Sequence, residues 1–268
     1  MFVAAVVVLT TTMFAQAVTT VNSGSFTPQN QVAPNSIASI FGGNLSVTTA
    51  QASTLPLPTT LSGVTVTVGG LNGALAPLFF ISPNQINFLV PGFVGAGNQE
   101  IIVRRDGHIT HIGTVNVVPI LAGFFNQSTS SNNYRVNSGY VTDYFTGGSS
   151  DTKFWEFSAS GLPVIKPVPQ FVSGHNYYGV FYLTGAAASN TNFKFFQVKN
   201  VATGDRITLN ASYSGPSFQF AGLDQFNVKL NDNNGYLLPS GTYQCWAEWT
   251  NNGTLVFTST NVFYIQIP

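Results

Sequence analysis

The side chains able to carry acid–base or metal chemistry are few and scattered. The carboxylates are Glu100, Asp106, Asp143, Asp151, Glu156, Asp205, Asp224, Asp232 and Glu248. A glycosidase needs two of them flanking one bond, and no spacing here brings a pair onto one site. The histidines are His108, His111 and His175. His108 and His111 follow the Asp106-Gly107 turn and are three apart. On a strand they point to opposite faces, which opposes joint metal ligation. Both are expected as exposed polar positions. A serine nucleophile would sit in a Gly-x-Ser-x-Gly elbow, and none is present. Asn231-Asp232-Asn233-Asn234-Gly235 resembles a fragment of a calcium loop without its closing bidentate acid. A plain turn accounts for the same residues. The chain is therefore expected to hold no catalytic residue, metal or cofactor, and to be no enzyme.

Other candidates are aromatic or amide. Aromatic residues make up 13% of the chain and include Trp155, Trp246 and Trp249. Trp246 and Trp249 lie three apart on an alternating strand, so one is expected in the core. The other would be a sugar-stacking platform or an interface anchor. Exposed Tyr134, Tyr140, Tyr144, Tyr177 and Tyr178 would fit either role. Gln85 and Asn87 share one strand face, as do Gln225 and Asn227. They offer either a polar ligand face or amides that tie down neighbouring loop backbone. Cys245 stands alone in Tyr243-Gln244-Cys245-Trp246-Ala247, so no intrachain disulfide forms. It is expected as a buried small hydrophobe, in a context resembling the tyrosine corner of immunoglobulin-like domains.

The elements that must position these residues are strands. Ser82-Pro83-Asn84-Gln85-Ile86-Asn87-Phe88-Leu89-Val90-Pro91 returns as Gly222-Leu223-Asp224-Gln225-Phe226-Asn227-Val228-Lys229-Leu230, shifted by 140 from Gln85 to Gln225. The same shift lays Val32–Phe41 over Val172–Phe181. Two matched phrases at one offset point to a duplicated domain. Val64-Thr65-Val66-Thr67-Val68 alternates cleanly, and Asp106-Gly107 and Asn251-Asn252-Gly253 are hairpin turns. No segment keeps a helical period. The fold class expected is all-β: two immunoglobulin-like antiparallel β-sandwiches related by internal duplication. Their bounds are 22–122 and 155–268, with 123–154 as an irregular bridge rich in Ser, Asn, Gly, Tyr and Thr, in which Tyr140 to Phe145 is an alternative strand.

Composition sets the compartment. Hydrophobic residues are 44% of the chain and charged residues only 7%, against about a quarter in ordinary domains. The polar surface must be built from Thr, Ser, Asn and Gln. A formal net charge of +0 gives no steering toward nucleic acid or anionic lipid, and removes the repulsion that keeps copies apart. Residues 1–21 have two readings. Apolar Met1–Leu9 followed by Ala15-Gln16-Ala17 resembles a secretory signal peptide cut after Ala17, although it lacks a basic n-region. Alternatively Val3, Val6, Val7, Val8 and Leu9 form a retained assembly strand, donated to the sheet edge of another copy. The apolar run breaks at Thr10-Thr11-Thr12, short of the roughly 20 residues of a membrane span.

Several phrases in order are similar to the Solibacter-type uncharacterised C-terminal domain of secreted bacterial proteins. They are Val21-Asn22-Ser23-Gly24-Ser25-Phe26, Val32-Ala33-Pro34-Asn35-Ser36-Ile37-Ala38-Ser39-Ile40-Phe41-Gly42-Gly43-Asn44-Leu45, Leu55-Pro56-Leu57-Pro58-Thr59-Thr60-Leu61-Ser62-Gly63-Val64, Ala76–Phe88 and Phe220–Val228. The resemblance implies paired immunoglobulin-like (IPT/TIG-type) sandwiches and no catalytic residues. That family usually ends longer chains. The β-module standing nearly alone is here expected to be the functional object.

Two functions fit these features. One is a secreted or cell-surface structural protein that self-associates, as a filament subunit joined by strand complementation. The other is a carbohydrate-binding or adhesive module using Trp246, Trp249, Tyr177 or Tyr178. The expected partners are copies of the chain or an extracellular glycan.

Overall fold

The computed structural model describes residues 15–27, 29–129, 134–186, 193–218, 220–251 and 254–268. The expected assembly strand of Val3, Val6, Val7, Val8 and Leu9 lies outside the described residues. The described chain is all-β and forms two sandwiches.

The first sandwich holds β1 (Gln16–Ala17), β2 (Thr19–Asn22), β3 (Gln31–Val32), β4 (Ile37–Phe41), β5 (Ala50–Gln51), β6 (Val64–Val68), β7 (Ala74–Leu75), β8 (Leu78–Ile81), β9 (Gln85–Leu89), β10 (Gly97–Arg105) and β11 (His108–Val117). One sheet runs β2-β4-β9-β8-β5. The other runs β11-β10-β6-β7, with β1 and β3 added in parallel to β11. This is immunoglobulin-like topology. The alternation of β6 has its expected result: Val64, Val66 and Val68 are buried against Ile40, Ile86 and Phe88 of the facing sheet. Asp106 and Gly107 both take positive φ (51° and 81°), the tight hairpin geometry their types favour.

The second sandwich holds β12 (Gly123–Phe124), β13 (Asn126–Ser128), β14 (Arg135–Asn137), β15 (Tyr140–Phe145), β16 (Gly148–Lys153), β17 (Trp155–Phe157), β18 (Pro163–Ile165), β19 (Asn176–Thr184), β20 (Phe193–Asn200), β21 (Arg206–Pro216), β22 (Asp224–Lys229), β23 (Gly241–Asn251), β24 (Thr254–Thr258) and β25 (Phe263–Ile267). One continuous sheet, β16-β15-β19-β22-β21-β20-β23-β24, folds over itself at β21. The start of β21 pairs with β20 and its end with β22, through a bulge between Ala211 and Tyr213. The enclosed core is aromatic: Phe181, Phe196, Phe226, Trp249 and Phe263 are fully buried.

Residues 123–154 are not an irregular bridge. β12 and β15 pair with β19, and β16 pairs with β15. Ser and Gly hide β16 in the sequence because it is an exposed edge with no apolar face to show. Backbone pairing needs no apolar side chain.

The duplication is visible as register. In β4–β9, Gln85 lies opposite Phe41; in β19–β22, Gln225 lies opposite Tyr182. The partner strand is thus displaced by 141 rather than 140, correcting the sequence alignment by one residue. Burial agrees, because Ile37–Phe41 and Tyr178–Tyr182 share the order half-buried, three buried, half-buried. A one-residue slip would turn every side chain to the wrong face. The next strand even repeats its bulge, between Leu78 and Phe80 in β8 and between Ala211 and Tyr213 in β21.

A second duplicated phrase went unread in the sequence. Val21-Asn22-Ser23-Gly24 recurs as Val136-Asn137-Ser138-Gly139. Both asparagines are buried, and each Oδ1 accepts the N–H of its glycine at 2.8 Å. Asn22 also joins the two sandwiches, donating from Nδ2 to Leu121 O (2.7 Å) in the connector and to Thr184 O (3.4 Å) of β19. Beside it, Thr184 Oγ1 accepts Ile37 N–H (2.7 Å) and donates to Gly222 O (2.6 Å).

Candidate functional site

The residues singled out from sequence separate by face. Along β23, Tyr243, Cys245, Ala247 and Trp249 point inward and are buried. Trp249 is 0% exposed, 6.1 Å from Phe226 and 5.7 Å from Phe257 by ring centroid. It is the core member of the tryptophan pair and unavailable to a sugar. Tyr177, expected on the surface, is also 0% exposed. Its hydroxyl donates to Gln170 O and accepts Val172 N–H, both at 3.1 Å. Burial and the nearby Asp143 push its phenol pKa up. Tyr178 is half-buried on the other sheet, edge-on to Tyr144 at 5.7 Å. Tyr243 donates to Pro239 O (2.9 Å), the tyrosine-corner bond. Burial raises the Cys245 thiol well above its ordinary range.

The polar candidates are mostly structural. His111 is buried, not exposed, with Nε2 2.8 Å from Gly43 O and Nδ1 2.9 Å from Thr110 Oγ1. His108 is exposed. His175 Nδ1 sits 2.9 Å from Asp143 Oδ1. Asn231–Gly235 is a turn in which Asp232 Oδ1 accepts the N–H groups of Asn234 and Gly235. Gln85 and Gln225 do not reach loop backbone. Each donates to the asparagine two residues on, at 2.7 and 2.9 Å. Among the described residues no group of three or more His, Cys, Asp or Glu could hold a metal.

A cavity of about 460 Å³ lies at the tip of the β10–β11 hairpin, lined by Arg105, His108, Ile109 and His111 among others. Gln16, near the start of the described residues, forms one wall.

The outer face of β25-β23-β20-β21 is different. Four aromatics cross it diagonally. Phe195 stands in the row of Glu248, Trp246 in the row of Gln197, and Tyr264 in the row of Gln244. Tyr134 stacks on Tyr264 at 4.2 Å and 23°. All but Trp246 escaped the sequence reading or were assigned there without a partner. The signal was the alternation of β20 and β25 opposite β23, which needs the pairing to be read. Diagonal neighbours on one face stand about 7–8 Å apart.

Polar groups fill the spaces and are fixed by one another. Thr208 Oγ1 donates to Gln197 Oε1 (2.8 Å), and Gln197 Nε2 donates to Glu248 Oε2 (2.9 Å). Trp246 Nε1 donates to Glu248 Oε1 (2.9 Å), and Gln244 Nε2 to Tyr264 Oη (3.1 Å). The Arg206 guanidinium lies 5.4 Å from the Trp246 ring centroid. Indole, phenyl and phenol rings supply partly exposed apolar surface, while amides, hydroxyls and a carboxylate hold hydrogen-bonding positions between them. That combination suits a ligand apolar on its ring faces and hydroxylated at its edges.

No protein-family model matches the chain, and no curated protein does. Solved structures give weak likenesses. The chain covers 96% of its own length and 66% of an Escherichia coli adhesin, FdeC, at 11% identity and TM-score 0.23. Against a Bacteroides ovatus mixed-linkage glucan utilization locus protein, SGBP-B, the figures are 88%, 67%, 12% and 0.25. Against the plexin A4 extracellular region they are 89%, 26%, 12% and 0.22. Scores this low assign no function to this chain. No helix among the described residues is long and apolar enough to cross a membrane.

Proposed function

We propose that the chain is an extracellular, non-enzymatic β-sandwich module that binds glycan on the outer β25-β23-β20-β21 face. The observation carrying this reading is the diagonal of Phe195, Trp246, Tyr264 and Tyr134 with a fixed amide, hydroxyl and carboxylate ladder between. The face is pre-organised, so binding loses little side-chain entropy. The N-terminal small-x-small pattern and the resemblance to the Solibacter-type domain support secretion. Affinity electrophoresis through polysaccharide gels tests the reading. Retardation should vanish for Trp246→Ala and persist for a folded control, Tyr178→Ala on the opposite sheet. Equal retardation of the wild type and Trp246→Ala would refute it.

Self-association is a second reading, favoured by the β24 edge. That strand ends its sheet with Leu255 and Val256 half or more exposed, and an apolar open edge invites another strand. Concentration-dependent mass by light scattering, abolished by Val256→Lys, would support it. A monomer at every concentration would exclude it.

A further inference from the structure

We infer that the glycan bound on this face is acidic, its carboxylate or sulfate held by Lys199 and Arg206. This deepens the glycan reading and rests on it. Lys199 and Arg206 are direct cross-strand partners on the outer face. Like charges placed opposite each other destabilise a sheet, so the pair calls for an anion. Among the described residues the ion pairs are Lys166–Glu156 and His175–Asp143, and neither includes these two cations. The nearest acids in the ladder and sequence are engaged elsewhere. Glu248 accepts from Gln197 and Trp246, and Asp205 accepts from Thr203 at 2.6 Å.

The placement is selective in a chain with nine lysines and arginines in all. Lys199 opens into a shallow cavity of about 150 Å³ with Tyr134, Gln244 and Tyr264. Arg206 is exposed and lies against Trp246. A uronate ring over this row would lay its apolar face on Tyr264 or Trp246 and turn its carboxylate to the ammonium and guanidinium. Arg offers a bidentate fork for that geometry, and Lys a point charge. Basic and aromatic groups together also suit single-stranded nucleic acid. Such a strand is tracked by a positively charged groove along its backbone, whereas this face offers one lysine beside one arginine.

The experiment is calorimetry of the full chain with three polymers: oligogalacturonate, its methyl ester, and a neutral β-glucan oligosaccharide. A fourth arm uses a single-stranded DNA oligonucleotide. The acid should bind about tenfold or more tighter than its ester, with the preference shrinking as salt rises. Lys199→Gln with Arg206→Gln should bring acid and ester within about twofold of each other, as expected when a charge-assisted contact is removed. Trp246→Ala should weaken all three sugars. Equal binding of acid and ester by the wild type would overturn the acidic preference and leave the glycan reading standing. Binding of none of the sugars would overturn both. Tighter binding of the oligonucleotide than of oligogalacturonate would also overturn the inference.

Discussion

Trp246 and Trp249 sit on one strand and should respond to truncation in opposite currencies. Trp249 is fully enclosed by Phe226 and Phe257. Truncation of a buried Trp to Ala leaves a large cavity and costs about 3–5 kcal/mol. In a folding unit of this size, each kcal/mol lowers Tm by about 2–4 °C, so Trp249→Ala should fall by roughly 6–20 °C. Trp246 is half-buried and contacts Arg206 and Glu248 on the surface. Losing the cation–π contact costs about 0.5–1 kcal/mol, so Trp246→Ala should stay within a few degrees of wild type. Trp249 Nε1 is buried without a hydrogen-bond partner. Trp249→Phe removes that orphaned donor, worth about 1–3 kcal/mol, and should therefore be much milder than Trp249→Ala. Thermal and urea unfolding followed by far-ultraviolet circular dichroism reads all three variants. The placement of the two rings is refuted if Trp246→Ala destabilises as much as Trp249→Ala. It is equally refuted if Trp249→Phe is as damaging as Trp249→Ala.

Asn22→Ala should cost about 1–3 kcal/mol for each partner left unpaired, since Asn22 serves Leu121 O and Gly24 N–H; urea midpoints measure it, with Asn137→Ala as its duplicate. Gly222→Ala places a Cβ 2.6 Å from Leu89 Cδ1 at φ +72°, so it should loosen the junction and raise limited proteolysis between the sandwiches. Cys245 should resist thiol reagents in the native protein and react on unfolding, because its buried thiol is held protonated. Tyr140, Tyr177 and Tyr236 have phenol pKa values raised chiefly by burial. The native state therefore keeps protons that the unfolded state releases above about pH 10. Stability should fall as pH rises through that point, which urea titrations from pH 8 to 11 would detect.

Much of the fold was legible where side chains alternate. Val64–Val68 shows a buried face by composition alone, and Asp106-Gly107 announces its hairpin by residue type. The repeated Gln-x-Asn gave the duplication, although only pairing gives the one-residue offset between Phe41 and Tyr182. β15 was legible as an alternative strand over Tyr140–Phe145, but β16 was hidden because an exposed edge strand of Ser, Thr and Gly has no apolar period. The candidate face was half legible. Alternation in Tyr243–Trp249 separates Trp246 from Trp249, but does not say which faces water. That choice depends on which sheet covers β23. Lys199 meets Arg206, and Tyr134 meets Tyr264, only through strand pairing and a returning loop.

The central claim is that ligand binds the outer β25-β23-β20-β21 face. Amide and indole NMR spectra of the chain titrated with oligogalacturonate test it most directly. The account predicts shifts at Trp246 Nε1–H and at the side-chain amides of Gln197 and Gln244, with Trp249 Nε1–H unmoved. Shifts confined to the first sandwich, or none at saturating sugar, would contradict it.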